Sequence, residues 1–375
     1  MKSVLAEGTA WSRHAAGRLQ AFIAAACQDM RLRGMLANDP ATALREWQWE
    51  PDAVPESLPP PMSAISVRMD DATLLGPVEW CTEPDAAQLR QTQLRLLLAG
   101  AKPLGLIHGD ERSLVALASW AQARGYYALL GPYQFSPQQD RHKNGYSNRT
   151  ATVTAASPGS GAWRGLLIST DQQTVLLAWL CQLFGWERFL GGLLGYPSCC
   201  CRAFEEHWPR AAAGHEGDVG LMLLEESAGM HPVYKMNWAA NIFARYFGRE
   251  ILQHFPCQWH CSGTVAMARR HLAALEHYWP ADALEIRTCL ASPMLAAPGH
   301  GYALFHGGRV VRKHGGIRLI YDPDRVETIG MNDGLGRAIA SSRQLTAGTV
   351  ANWRIADRAV PGWVLDTSHP DEMAV

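Results

Sequence analysis

Five of the nine cysteines of this chain lie in two short windows. The first window reads Pro197-Ser198-Cys199-Cys200-Cys201, and the second reads Pro256-Cys257-Gln258-Trp259-His260-Cys261. In each window a proline precedes a thiol and an amphipathic pattern follows, which predicts that both sets of thiols lie at helix N-termini. The free amides and the helix dipole at such an end favour the thiolate, the form that binds metal ions and attacks electrophiles.

Helix geometry limits how many of these thiols can act together. Cys257 and Cys261 would share one helix face, with Cβ atoms about 5–6 Å apart. Successive residues of a helix point about 100° apart, so at most two of the three adjacent cysteines are expected at one centre. Neighbouring cysteines are also too close, at about 3.8 Å between Cα atoms, for an ordinary disulfide. Two thiols from each window predict a four-sulfur site, suited to tetrahedral zinc or to an iron–sulfur cluster.

The alternative is that the cysteines are small core residues, since free cysteine is among the most buried residue types. We favour this interpretation for Cys27, Cys181 and Cys289, which lie on apolar faces, and also for Cys81. For the two windows a metal-free pair of reactive thiols is a further alternative.

The residues around the windows resemble a poorly characterised family of archaeal and bacterial proteins. Its marks are L-G-Y-P-x-C-C, here Leu194 to Cys200, followed by H-x-P-C-x-x-x-C, here His254 to Cys261. The resemblance covers residues 180–275 and implies that the two windows belong together. It brings no activity with it, and Cys201 and the Trp259-His260 pair look like local departures.

The resemblance selects Cys199 and Cys200 as the pair from the first window. The predicted metal ligands are therefore Cys199, Cys200, Cys257 and Cys261. Cys201 and His254 are predicted to lie beside the ligands or to act in catalysis. His254 is chosen because it comes three residues before Cys257 and falls within the resemblance.

The N-terminal segment has a resemblance of its own. Met35 to Glu46 follows the pattern L-x-x-D-P-x-x-A-L-x-E, and residues 1–50 resemble the leader-like helical module of nitrile hydratase α subunits. The alternative is a helical hairpin packed on the body of the protein. Residues 51–62 hold five prolines and are predicted to be a linker.

The remaining patterns predict a mixed α+β fold. Residues 63–185 read as an α/β unit in which strand 103–108, a helix from Gly109 and strand 126–130 form a βαβ-like unit. Residues 186–284 are predicted to be a helical module that carries the cysteines, with one long helical pattern over Asn237–Leu252. Short apolar runs separated by glycine and proline predict a β-rich unit over 285–375.

Composition narrows the classes of function. The chain has 375 residues, 47% of them hydrophobic, with 34 basic and 35 acidic side chains, so we expect no nucleic-acid partner. No apolar run reaches the ~18–20 residues of a membrane span, and the N-terminus lacks the pattern of a signal peptide. We therefore expect a cytoplasmic protein without a membrane partner, whose cysteines are thiols or metal ligands. The oligomeric state stays open.

From these observations we predict a metal- or iron–sulfur-dependent modifying enzyme with a four-cysteine centre. The leader-like segment suggests that its substrate is a ribosomally made peptide or a protein, or that it handles sulfur or metals. Two alternatives remain: a non-enzymatic partner-binding protein with structural zinc, and a metal-free thiol–disulfide protein.

Overall fold

A computed structural model describes most of the chain beyond residue 83. The described residues are 84, 86–137, 150–155, 161–314, 316–331, 334–348, 351–355 and 358–367. They divide into two compact units, and the chain passes from the first to the second between Gly195 and Tyr196. Helices and strands occur in both, which confirms the predicted α+β class. The predicted leader-like module, residues 1–50, and the linker, residues 51–62, lie outside the described residues.

The first unit is a small sheet with helices. In chain order its elements are α1 (Ala86–Leu89), α2 (Thr92–Leu98), β1 (Gly105–Asp110), α3 (Glu111–Gln122), β2 (Tyr127–Pro137), β3 (Thr150–Ala155), β4 (Trp163–Ser169), α4 (Gln172–Phe184) and α5 (Glu187–Leu193). Local signals set the ends of the helices. Asp110 accepts a hydrogen bond from Ser113 N at the start of α3, and Asp171 does the same for Thr174 N at the start of α4.

The sheet of the first unit has the strand order β1-β4-β2-β3. β1 and β2 both run antiparallel to β4, so they are parallel to each other and α3 is the crossover between them. The predicted βαβ-like unit is present, but β4 lies between its two strands. Sequence order cannot reveal such an insertion, because the inserted strand comes later in the chain.

A buried ion pair joins the elements of this unit. Arg164 on β4 contacts Glu111 at the start of α3, with 2.9 Å between Nη1 and Oε1. Its second terminal nitrogen donates to the carbonyl oxygen of Gly131 at 2.8 Å, and Glu111 Oε2 accepts from Gly161 N. Buried charges are tolerated when they are paired and hydrogen-bonded in this way.

The second unit begins with helices and ends with strands. Its first elements are α6 (Ser198–Gly214), α7 (Val219–Ala228), β5 (Val233–Lys235), two 3-10 segments (Trp238–Ala240 and Ile242–Phe247), α8 (Ser262–Tyr278) and α9 (Pro280–Ala291). The later elements are β6 (Met294–Ala297), β7 (Gly301–Phe305), β8 (Arg309–Lys313), β9 (Gly316–Ile320), a 3-10 turn (Pro323–Arg325), β10 (Val326–Ile329), α10 (Leu335–Ala340), β11 (Gln344–Ala347), β12 (Asn352–Ile355), β13 (Arg358–Pro361) and β14 (Trp363–Asp366).

Two five-stranded sheets form the later half of this unit, with orders β10-β7-β6-β14-β5 and β13-β12-β11-β9-β8. A core that includes Phe305, Leu319, Ile339 and Trp353 contains residues of both sheets. Residues 285–375 are therefore rich in strands, as predicted. β5 pairs in parallel with β14, so one strand from the preceding segment completes a sheet of this half.

The prediction of a helical module over 186–284 is wrong between residues 229 and 261. β5 interrupts it, and the pattern Asn237–Leu252 forms only the two 3-10 segments. The side chains of Asn237 and Asn241 accept hydrogen bonds from the backbone of Ala239 and Phe243. Such local bonds compete with a regular helix, which is why the apolar periodicity alone misleads.

No helix in the described part of the chain is both long and apolar enough to cross a membrane.

Candidate metal centre

The first cysteine window opens a helix, as the sequence predicts. α6 begins at Ser198, and Pro197 is its N-cap with an extended backbone. Cys199, Cys200 and Cys201 all lie in the first turn, where the backbone N–H groups of the last two donate to Pro197 O at 2.9 and 3.0 Å. The proline therefore caps the helix and does not occupy a helical position itself.

The prediction for the second window holds for Cys261, which lies at a helix N-terminus, and is wrong for Cys257. Cys257 lies in an irregular segment, and α8 starts five residues later at Ser262, with Cys261 as its N-cap. A turn between the two cysteines, in which Cys261 N donates to Gln258 O at 3.0 Å, replaces the expected helix. Cys257 and Cys261 are thus brought together by a turn and not by a shared helix face.

The two helix N-termini approach each other closely at Gly263. A Cβ atom at this position would lie 2.9 Å from Cβ of Pro197, closer than real Cβ atoms are found. Glycine is therefore required where the start of α8 meets the N-cap of α6. This approach places the thiols of both windows at one point.

Four sulfur atoms meet there. Sγ of Cys199 is 3.9 Å from Sγ of Cys200, and Sγ of Cys261 is 3.6 Å from each of them. With Sγ of Cys257, all four atoms lie within 4.8 Å of one another. The structure thus brings together the four residues that the sequence predicts as ligands, and they could hold a metal ion. Within the described ranges no second group of this kind is found.

The sulfur spacing can be compared with that of a metal site. A tetrahedral zinc ion with Zn–S bonds of about 2.3 Å places its sulfurs about 3.8 Å apart. Contacts of 3.6 and 3.9 Å among three of the four sulfurs are close to this separation. The donor set therefore fits one tetrahedral ion with only small adjustments.

Hydrogen bonds surround Cys200, the most buried of the four thiols. Its Sγ lies 3.3 Å from the hydroxyl of Thr264 and accepts from the backbone N–H of Cys257 at 3.4 Å. The same hydroxyl is 3.0 Å from Nε2 of His254. A thiolate can only accept hydrogen bonds. An ionised Cys200 therefore accepts from the hydroxyl of Thr264, and the oxygen of that hydroxyl in turn accepts from Nε2–H of His254.

The pKa values of the thiols differ widely. Burial raises the pKa of Cys200 far above its ordinary value, and burial with the neighbouring thiols raises the pKa of Cys257 to about 12. Burial also opposes ionisation of Cys261, but hydrogen bonds from the backbone and side chain of Thr264, together with those from the Cys200 and Cys199 thiols, outweigh it and lower its pKa to about 7. The predicted thiolate stabilisation is therefore found for Cys261 and not for Cys200 or Cys257. A bound cation would supply the positive charge that several adjacent thiolates need.

The irregular segment before Cys257 is held by two side chains that the sequence did not single out. Buried Arg245 donates from Nη2 to the carbonyl oxygens of Leu252 and His254, both at 3.3 Å, and its guanidinium lies over the ring of Phe255. Nδ1 of His271, on α8, lies 2.7 Å from Ile251 O. Because these partners are backbone carbonyl groups, which every residue has, no pattern of residue types predicts the contacts.

Thr264 was also missed, although a signal existed. It comes three residues after Cys261, the spacing at which a side chain in the first helical turn returns to the N-cap. His254, predicted to lie beside the ligands, contacts them through Thr264. Its ring lies against that of Tyr196, with 5.0 Å between the ring centroids and a tilt of 33°.

Cys201 stands apart from the other thiols of its window. It is buried, and its Sγ is directed at the carbonyl oxygen of Tyr196, 3.9 Å away. Its predicted role in catalysis, like that of His254, stays a prediction. Cys181 and Cys289 are fully buried, as expected of core residues, while Cys27 and Cys81 lie outside the described residues.

In comparisons with known proteins, no family model, no curated protein and no solved structure matches this chain. The resemblances of residues 180–275 and of the N-terminal segment therefore stay predictions. What the centre can do has to be argued from its own geometry.

Proposed function

We propose that this protein binds a single zinc ion through Cys199, Cys200, Cys257 and Cys261. The observation that carries the proposal is the separation of the sulfur atoms, all of which lie within 4.8 Å of one another. Soft thiolate donors in a set of four suit zinc, which has no preference for another geometry.

The same spacing favours one ion over an iron–sulfur cluster. A cluster distributes its cysteine ligands over several iron atoms, so their sulfurs stand farther apart than those around one ion. Here Sγ of Cys261 is 3.6 Å from Sγ of both Cys199 and Cys200. A cluster would require these side chains to move apart, whereas a single ion would require only small shifts.

The ion would have a structural role. It would join the N-terminus of α6, the N-terminus of α8 and the irregular segment between residues 248 and 261, which has no helix or strand of its own. Four protein ligands complete a tetrahedral shell, and closed sites of this kind typically stabilise folds. Of the alternatives, the non-enzymatic, partner-binding protein with a structural zinc site is therefore favoured, and the geometry supports its zinc site.

The modifying enzyme predicted from the sequence is the second candidate. The observation that favours it is the exposure of Cys199, which leaves one corner of the centre accessible from solvent. The proposal of a peptide or protein substrate depends on the leader-like segment, residues 1–50. A chain that lacks this segment and still binds its partner would therefore contradict that part of the proposal.

Metal analysis combined with a visible spectrum tests the proposal. We expect full-length protein purified without oxygen to be colourless and to carry about one zinc per chain. Cys200→Ala and Cys257→Ala should both lose the metal, while Cys181→Ala, in the first unit, should keep it. A brown chromophore lost in both variants would show a cluster instead. Folded protein without metal in any preparation would refute both forms of the centre.

A further inference from the structure

The four thiols of the centre differ in their access to solvent. Cys200 and Cys261 are buried, with 1% and 4% of their surface exposed. Cys257 is half-buried, and Cys199 is exposed. A reagent in solution therefore meets Cys199 first.

The hydrogen bonds to the four sulfur atoms also differ, and the two buried sulfurs, of Cys200 and Cys261, accept more of them. The sulfur of Cys200 has the hydroxyl of Thr264 and the N–H of Cys257 as partners, and Thr264 also serves Cys261. The contacts that the described residues make with Sγ of Cys199 are with the other thiols, at 3.9 Å to Cys200 and 3.6 Å to Cys261, and with Cys257 as well. Each N–H or O–H donor withdraws electron density from a thiolate, so Cys199 and Cys257 keep more nucleophilic lone pairs than Cys200 and Cys261. Of these two, Cys199 is the more exposed.

We propose, on the basis of the proposed zinc centre, that Cys199 is a modification site at which the metal-bound thiolate attacks soft carbon electrophiles. A divalent ion with four thiolates carries a net charge of about −2, which makes the sulfurs electron-rich. Burial and hydrogen bonds restrain Cys200 and Cys261, and Cys257 is half-buried, so the exposed Cys199 is the reactive corner.

The reaction balances without an oxidant or a reductant. The Cys199 sulfur forms a bond to the electrophilic carbon, and the bond from that carbon to its leaving group breaks. The leaving group departs with the electron pair of that bond. The product is a thioether, a weaker and uncharged donor, so the net charge of the centre becomes less negative by one.

Iodoacetamide, a small neutral electrophile, is the probe. Zinc is first quantified in the full-length protein, which then reacts with limiting reagent, and the labelled peptides are followed by mass spectrometry over time. We expect Cys199 to react at least about tenfold faster than Cys200, Cys257 or Cys261, since reactivity follows thiolate character and exposure. Cys199→Ser should remove this fast phase. Ser198→Ala, which changes the adjacent exposed position and no thiol, should retain it.

The outcomes separate this inference from the zinc centre itself. Bound zinc with equal labelling of all four cysteines, or with Cys257 or Cys261 labelled first, would overturn the reactive role of Cys199 and leave the zinc centre standing. Protein that binds no zinc would overturn both. The labelling order in the unaltered protein decides the matter even if Cys199→Ser does not fold.

Discussion

Each unit of this protein buries a polar group, and the two groups are completed in different ways. In the first unit Glu111 and Arg164 carry opposite charges and satisfy each other, with further hydrogen bonds to Gly131 O and Gly161 N. In the second unit the four thiols are acids of one kind, and ionising them together builds up negative charge. The charges of the first group are balanced within the chain, although Nε of Arg164 has no hydrogen-bond partner among the described residues. In the second group the proposed zinc ion would supply the balancing positive charge.

This comparison predicts the largest effect for removal of the metal. Cys261→Ala, or treatment with a strong chelator, should abolish tight zinc binding and expose the segment 248–264 to hydrogen exchange, because binding of a structural zinc contributes on the order of 10 kcal/mol. Amides of β1 and β4 in the first unit should keep their protection. Unchanged exchange in 248–264 after complete loss of zinc would show that the segment does not depend on the ion.

The matching experiment in the first unit should have the next largest effect. Glu111→Gln leaves the charge of Arg164 buried without its counterion, which is expected to cost about 3–5 kcal/mol of unfolding free energy in urea titration. Zinc content should not change. A double replacement of both residues by apolar side chains is the control, and it should restore part of the loss. A Glu111→Gln protein as stable as the original would mean that the pair is not needed.

A smaller effect on zinc binding is expected at residues that position the ligands and are not ligands themselves. Arg245→Lys removes the planar guanidinium that serves Leu252 O and His254 O, so Cys257 should be held less firmly. We expect zinc affinity to fall by about 10–100-fold with the folded state retained, as is usual for partners of metal ligands. Competition with a coloured chelator measures the affinity. Arg287→Lys, at an exposed pair with Glu276, serves as the matched control.

The smallest effect is expected at Thr264. Thr264→Val removes the hydroxyl that lies 3.3 Å from Sγ of Cys200 but keeps the branched shape of the side chain. The loss of one hydrogen bond to a thiolate should weaken zinc binding by about tenfold. Thr264→Ser, which retains the hydroxyl, should bind nearly as the original does. If the two variants behave alike, the hydroxyl has no part in holding the centre.

Much of the second unit could be predicted where local signals decide. Pro197 and the residues after it start a helix as expected, and the apolar runs after residue 290 form strands. The apolar periodicity over Asn237–Leu252 misled, because asparagine side chains offered the backbone other hydrogen bonds. Of the three thiols of the centre whose pKa is shifted, the thiolate prediction held for Cys261 alone, since burial raises the pKa of Cys200 and Cys257.

The sequence by itself determined that thiols of both windows would meet and that two of the three adjacent cysteines would take part, because residue type, proline placement and spacing are written in the chain. The choice of Cys199 and Cys200 came from the resemblance. Only the tertiary structure decided how they meet. A spacing of four residues suits a helix and a turn equally well, and the turn between Cys257 and Cys261 exists because Arg245 holds the preceding carbonyls and Gly263 lets α8 approach Pro197. Exposure of Cys199 and burial of Cys200 were decided in the same way, since neighbours in sequence become unequal only when the rest of the chain packs around them.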